Sequence, residues 1–321
     1  MVDKNLFLYD LAVVAIMKNE APYVKEWIDY HLLAGVDHFY IYDNESPDNF
    51  KEVVQPYIDS GIVTYTFYPG KCRQLECYID AVKRYRFFCR YMAFVDSDEF
   101  VFPKGNRSIV EVLDEIFALN PTSGGVLFNW HCFGSNGEEK ADFSRGVLDR
   151  FTRRAANDWY RAPDPEPDGY KGWLGNIHVK TITNPRKIDY IDSPHYAMYF
   201  TGIHTVDEYG NPVRPHCFKS PVTDNKIVIN HYHTKSREEF LKRRSIRGQS
   251  QIFDLFDRNE VFDDGIIKYR DARKSGGVWR LLYLQSRLIP RAFSTRWHKI
   301  YFRRCQTKCR KNFTTAKLKI S

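Results

Sequence analysis

The first hundred residues alternate between two hydrophobic periods, and that alternation constrains the fold more than any other feature of the chain. Leu11–Met17 is a continuous apolar run of strand length, followed by Tyr23–Ala34, where Trp27, Tyr30, His31 and Ala34 recur at helical spacing. Pro22 suits the first turn of that helix and Gly35 its end. The pattern repeats with a strand at His38–Asp43, a helix at Phe50–Asp59, a strand at Ile62–Phe67, a helix at Arg73–Cys89 and a strand at Tyr91–Val95. Four strands separated by three helices predict a mostly parallel α/β sheet with helices on both faces and right-handed crossovers. No GxGxxG or GxxxxGK[ST] follows the first strand, which excludes the common dinucleotide and P-loop designs.

The fourth strand runs straight into Asp96-Ser97-Asp98-Glu99. In an open α/β sheet, ligands bind beyond the carboxyl ends of the strands. Two carboxylates there, with little positive charge nearby in sequence, call for a cation or for water. A hard divalent ion that completes its shell with substrate phosphates suits such a pair. Downstream, Ser108 and Glu111 form a capping box, as do Ser236 and Glu239, which opens a helix to about Arg247. Strands are expected at Gly124–Trp130, Ile177–Ile182, Lys187–Ile191 and Lys226–Tyr232, with a hairpin over Val206–Val213. The Pro-, Gly- and Tyr-rich stretch 155–176 reads as a long surface loop or lid.

Charge divides the chain. From Ala272 onward there are fourteen Lys and Arg and no acid, so the net +8 belongs to the tail while the body is acidic. Phe293, Trp297, Ile300 and Tyr301 fall on one helical face among Arg296, Lys299, Arg303 and Arg304, the pattern of a helix lying on an anionic membrane surface through residues 290–321. Nucleic acid is the less favoured partner, since no recognised binding motif accompanies the charge. Seven scattered cysteines without a CxxC suggest free thiols in a reducing compartment. With no signal segment and no 18-residue apolar span, the expected place is the cytoplasm, peripheral to the inner membrane face.

Six motifs in order give the chain a family likeness. Met17-Lys-Asn-Glu20, Glu26-Trp27 with Tyr30-His31, Tyr42-Asp43-Asn44-x-Ser46, Asp96-Ser97-Asp98-Glu99, Trp130 with Phe133-Gly134-Ser135, and Asn230-His231-Tyr232 with Lys235-Ser236 resemble the motifs of glycosyltransferase family 92 and its family-2-like bacterial relatives. The resemblance covers about residues 10 to 250. It implies a GT-A fold over 1–250 with a helical basic extension over 251–321. It also implies a nucleotide-sugar donor, a divalent metal (manganese, with magnesium as the substitute) and inversion at the anomeric carbon. The acceptor would be a glycan or a lipid-linked sugar, as in polysaccharide or lipopolysaccharide synthesis.

Residue by residue, the resemblance makes Asp96 and Asp98 metal ligands, with His231 as the distal ligand and His233 and His195 as rivals. Asn19, Glu20, Asp43 and Asn44 would flank the nucleotide, with Asp96, Lys235 and Arg247 on its phosphates or ribose; Arg243 is a further phosphate candidate for which a solvated helix face is the more favoured reading. Inversion needs a general base near the acceptor hydroxyl. Glu138, Glu139 and Asp142 are its weak candidates, with Asp158 and Asp164 as alternatives, and Trp130, Trp159 or Trp173 would offer a face to a sugar. The competing readings are a sugar-nucleotide-forming nucleotidyltransferase, disfavoured by Lys-Asn-Glu-Ala-Pro after the first strand, and a non-catalytic module that binds sugar or nucleic acid.

Overall fold

The computed structural model describes residues 6–162, 172–246 and 252–276. Its opening alternates as the periodicity predicts: β1 (Tyr9–Met17), α1 (Ala21–Leu33), β2 (His38–Asp43), α2 (Phe50–Asp59), β3 (Val63–Phe67), α3 (Gln74–Tyr85) and β4 (Cys89–Phe94). After the aspartates come β5 (Glu99–Pro103), α4 (Ile109–Leu119) and the long β6 (Ser123–Cys132). The central sheet runs in the order Pro212–Val213, His204–Val206, β6, Val179–Thr183, β4, β1, β2, β3. β1 pairs parallel with β2 and β4, and β2 with β3. Val179–Thr183 lies antiparallel between β4 and β6.

Both faces of the central strands are covered, which explains why they read as unbroken apolar runs. In β1, Leu11, Val13 and Ala15 enter one core with Trp27, Phe39 and Ile41, while Ala12 and Val14 enter the other with Tyr40, Tyr78 and Met92. α4 starts at the expected capping box, in which Ser108 Oγ accepts from Glu111 N at 3.2 Å and the Glu111 carboxylate accepts from Ser108 N at 2.6 Å.

β6 belongs to two ladders. Gly125–Asn129 pairs with Val179–Thr183, whereas Trp130–Cys132 pairs parallel with Ile227–His231. Ile227–His231 also pairs antiparallel with β5, placing His231 opposite Glu99. The expected long loop has a base of its own, a short hairpin between Tyr160–Arg161 and Leu174–Gly175.

Residues 252–276 sit on this body. Val261–Phe262 pairs with Arg153–Arg154, and in helix Gly265–Ser275 the Tyr269 hydroxyl donates to Arg107 O at 2.9 Å and Arg273 Nε to Leu33 O at 2.6 Å. The basic tail expected to meet a membrane lies outside the described residues. Among those that are described, no helix is long and apolar enough to cross one.

Candidate active site

The aspartate turn between β4 and β5 is pinned from beneath by α1. Trp27 Nε1 donates to Glu99 O at 2.8 Å and to Asp96 O at 3.2 Å. The Tyr30 hydroxyl donates to Val101 O at 3.0 Å. His31 Nε2 accepts from Val101 N at 3.2 Å, so its Nδ1 carries the proton and donates to Trp27 O at 2.8 Å. Full burial lowers the His31 pKa to about 4, which keeps the ring neutral and that arrangement fixed. Glu99 closes the turn by accepting from Asp96 N at 2.9 Å. The Glu26-Trp27 and Tyr30-His31 motifs therefore aim the aspartates. Glu26 itself accepts from the first amides of the short helix Val147–Arg150, beside Gly146, where any Cβ would collide with its carboxylate.

Each aspartate meets a cation, which corrects the expectation that little positive charge lies near them. Lys180 Nζ, on Val179–Thr183, is 2.9 Å from Asp96 Oδ2 and 3.5 Å from Glu99 Oε2, and its side chain is 1 % exposed. Gln74 Nε2 and the Tyr78 hydroxyl donate to the other Asp96 oxygen at 2.7 and 3.2 Å. Arg243 pairs with Asp98 Oδ2 and also donates to His233 O, so it is no solvated helix face. Asp98 Oδ1 lies 3.5 Å from His231 Nε2. Burial alone would raise both aspartate pKa values. The Lys180 ammonium reverses this at Asp96, and Arg243 with His231 holds Asp98 well below the carboxylate range. At Glu99 burial wins over Lys180 and lifts the pKa to about 7.

Arg243, the partner of Asp98, also lines a cavity of about 420 Å³ whose other walls include Lys18, Asn19, Glu20, Tyr23 and Lys235. The helix Arg237–Ile246 that brings Arg243 is fixed by its predicted capping box, with Glu239 N donating to Ser236 Oγ at 3.3 Å. Glu239 also takes two bonds from Arg150 at 2.7 and 3.2 Å and one from the Tyr23 hydroxyl at 2.8 Å. Lys235 has a left-handed backbone (φ 56°), and its ammonium lies 3.6 Å from the centre of the Tyr23 ring. Burial lowers the Lys235 pKa. Asn19, also left-handed at φ 60°, has its Oδ1 buried without a hydrogen-bond partner. The cavity walls carry Lys18, Lys235, Lys242 and Arg243 against Glu20, Asp48, Glu238 and Glu239, so the lining is polar and of mixed charge.

Other residues singled out from the sequence lie elsewhere or are engaged. Asp43 accepts from Ser46 N at 2.9 Å and Tyr65 OH at 2.6 Å, and the Asn44 amide donates to Tyr68 O and Gly70 O, so both side chains hold the β2 turn. Glu138 is paired with Arg145 at 2.9 Å and with buried Arg150 at 2.8 Å. Glu139 is 69 % exposed, and Asp142 accepts from the backbone and hydroxyl of Ser144. Asp158 is exposed, while Asp164 and Arg247 lie outside the described residues. Trp130 is stacked on His178 at 4.6 Å and abuts His231 at 4.1 Å. His195 Nδ1 donates to Val179 O at 2.8 Å. Lys180 sits in the strand Val-Lys-Thr-Ile-Thr, where its burial and its carboxylate partners are not apparent from the local sequence. Gln74 and Tyr78 likewise had no legible signal.

Comparison with known proteins places this site in a family. A glycosyltransferase family 92 protein of Oryza sativa subsp. japonica is 30% identical over 254 residues, covering 79% of this chain and 38% of that protein. A galactan beta-1,4-galactosyltransferase of Arabidopsis thaliana is 31% identical over 100 residues, 28% of this chain and 19% of its own length. The chain thus spans well under half of these relatives. The crystal structure of Staphylococcus aureus TarS 1-349 in complex with UDP-GlcNAc overlaps 43% of this chain and 36% of that one, at 18% identity and a TM-score of 0.29. The family profile matches residues 14–263, a span that includes α1, the aspartate turn, Trp130 and His231. With that match and the mostly parallel GT-A-type sheet beneath it, the chain belongs to glycosyltransferase family 92.

Proposed function

We propose that the chain transfers a glycosyl group from a nucleotide-sugar donor to a glycan or glycolipid acceptor, with the donor diphosphate seated beside Asp98. The observation that carries this is Arg243, which pairs with Asp98 beside His231 and also lines the cavity together with Lys235. One buried carboxylate oxygen and one imidazole nitrogen 3.5 Å apart suit adjacent ligands of a single divalent ion with bonds near 2.1 Å. Manganese or magnesium there would neutralise the charge developing on the departing diphosphate.

The protein groups do the rest. Arg243 exchanges its contact with Asp98 for phosphate oxygens, and Lys235 adds a second positive charge. Lys180 keeps Asp96 ionised and fixed, so that its carboxylate can accept from a donor hydroxyl. Attack by the acceptor hydroxyl on the face opposite the diphosphate would form the new C1–O bond as the bond from C1 to the diphosphate oxygen breaks, inverting the anomeric centre and releasing the hydroxyl proton to water. The carboxylates of Glu138 and Asp142 are already engaged and Glu139 faces solvent, so this reading gives none of them the base's role. The partial likeness to a galactan galactosyltransferase supports a glycan acceptor.

The test is a thermal-shift series with nucleoside diphosphates and nucleotide sugars, each with manganese and with chelator. One nucleotide should raise the midpoint only with metal, by the linkage expected of a ligand that binds the native state. Asp98→Asn should abolish both the shift and sugar transfer while leaving the metal-free midpoint near that of the wild type. A nucleotide shift that survives in Asp98→Asn would overturn the assignment.

A further inference from the structure

The ladder that presents His231 to Asp98 also presents it to a thiol. His231 and Cys132 are register partners on parallel strands, and His233 follows two residues on. One ligand atom from each of Cys132, His231 and His233 falls within 4.8 Å of the others. Cys132 is 2 % exposed and His231 9 %. The Nδ1 atoms of His231 and His233 are both buried without a hydrogen-bond partner. Buried ring nitrogens left unpaired are costly, and most native structures satisfy them. The rings are nonetheless fixed, since His231 packs on Trp130 and His233 on Phe256.

We propose that Cys132, His231 and His233 form a binding site for a soft divalent ion, with zinc as the probe. A thiolate and two neutral imidazoles are a borderline-soft set that favours four-coordinate zinc, whereas manganese and magnesium prefer oxygen. Zinc bonds of about 2.3 Å to sulfur and about 2.0–2.1 Å to nitrogen set the ligand atoms closer together than 4.8 Å, so binding draws the side chains inward. The thiol loses its proton to solvent as the sulfur–metal bond forms, and a water completes the shell. This ion is distinct from the one assigned to Asp98: zinc takes the Nδ1 lone pair of His231 while Nε2 keeps its proton toward Asp98, so the neutral ring serves one ion at a time.

The experiment needs neither donor nor acceptor. The full chain, stripped with chelator, is titrated with zinc against a chromophoric competitor and with cobalt by absorption. One high-affinity equivalent is expected, with a thiolate-to-cobalt charge-transfer band and a zinc-dependent rise in thermal midpoint. Cys132→Ser should lose the band and weaken zinc at least tenfold. His233→Ala should weaken it comparably, while Cys217→Ser, at the surface His216–Cys217 pair, should change nothing. Metal-free midpoints of the variants show that each is folded. Unaltered zinc affinity in both Cys132→Ser and His233→Ala, or its loss in Cys217→Ser, overturns the proposal. Failure of the donor-site reading leaves these results unaffected, because no nucleotide is present.

Discussion

Replacing Lys180 by methionine keeps the volume of the side chain and removes the cation between Asp96 and Glu99. The ammonium lies 2.9 Å from one carboxylate and 3.5 Å from the other, in a side chain 1 % exposed. Removing one partner of a buried pair costs about 3–5 kcal/mol, because the remaining charge is left uncompensated. For a chain of 321 residues that corresponds to a fall in melting temperature of roughly 4–7 °C. The loss should depend on pH in a defined direction. Without Lys180, burial holds the Glu99 pKa still further above its unfolded value. The folded state then binds more protons than the unfolded state at intermediate pH, so stability falls as pH rises. The wild type already loses some stability this way, because Glu99 is held at about 7. The quantity to read is therefore the gap between variant and wild type, measured by denaturant or thermal unfolding at pH 5.5 and pH 8. The gap should be wider at pH 8. A variant as stable as the wild type at pH 8, or a gap that does not change with pH, would refute the pairing and the sign of its linkage.

Two further substitutions separate the support of the turn from the fold at large. Trp27→Phe removes the indole donor to Glu99 O and Asp96 O and should cost about 2–4 kcal/mol of unfolding free energy through an unsatisfied carbonyl and a small cavity. It should also weaken the metal-dependent nucleotide shift, and an unchanged shift would show that the turn keeps its aim without Trp27. Ser108→Ala breaks the capping box of α4 and should cost about 1 kcal/mol while leaving the nucleotide shift intact.

The sheet was readable because hydrophobic period and turn chemistry agree along β1 to β4, down to the limits of β2 and α2. The site could be named as a candidate only where a motif carries its own chemistry, as at Asp96 and Asp98. It was misread where partners come from distant strands. Lys180 and Arg243 meet the aspartates through sheet order and helix placement, which no local window contains. Asp43 was offered by the sequence as a strand-end ligand for ribose, and the tertiary structure adds what no local window shows, that it accepts from Ser46 N and the Tyr65 hydroxyl. Cys132 went unnoticed because its neighbours in space, His231 and His233, arrive from a strand about 100 residues later.

The pairing of Ile227–His231 with both β5 and β6 has a consequence for biosynthesis. Arg243 and Asp98 are 145 residues apart in sequence. At about 5–20 residues per second, a nascent chain exposes the completed aspartate turn on the order of ten seconds before Arg243 has been made. During that interval β5 is an open edge, and Asp98 lacks its guanidinium. The ribosome-bound intermediate should therefore be both the species most prone to aberrant strand addition and the one whose aspartates are most open to stray divalent cations.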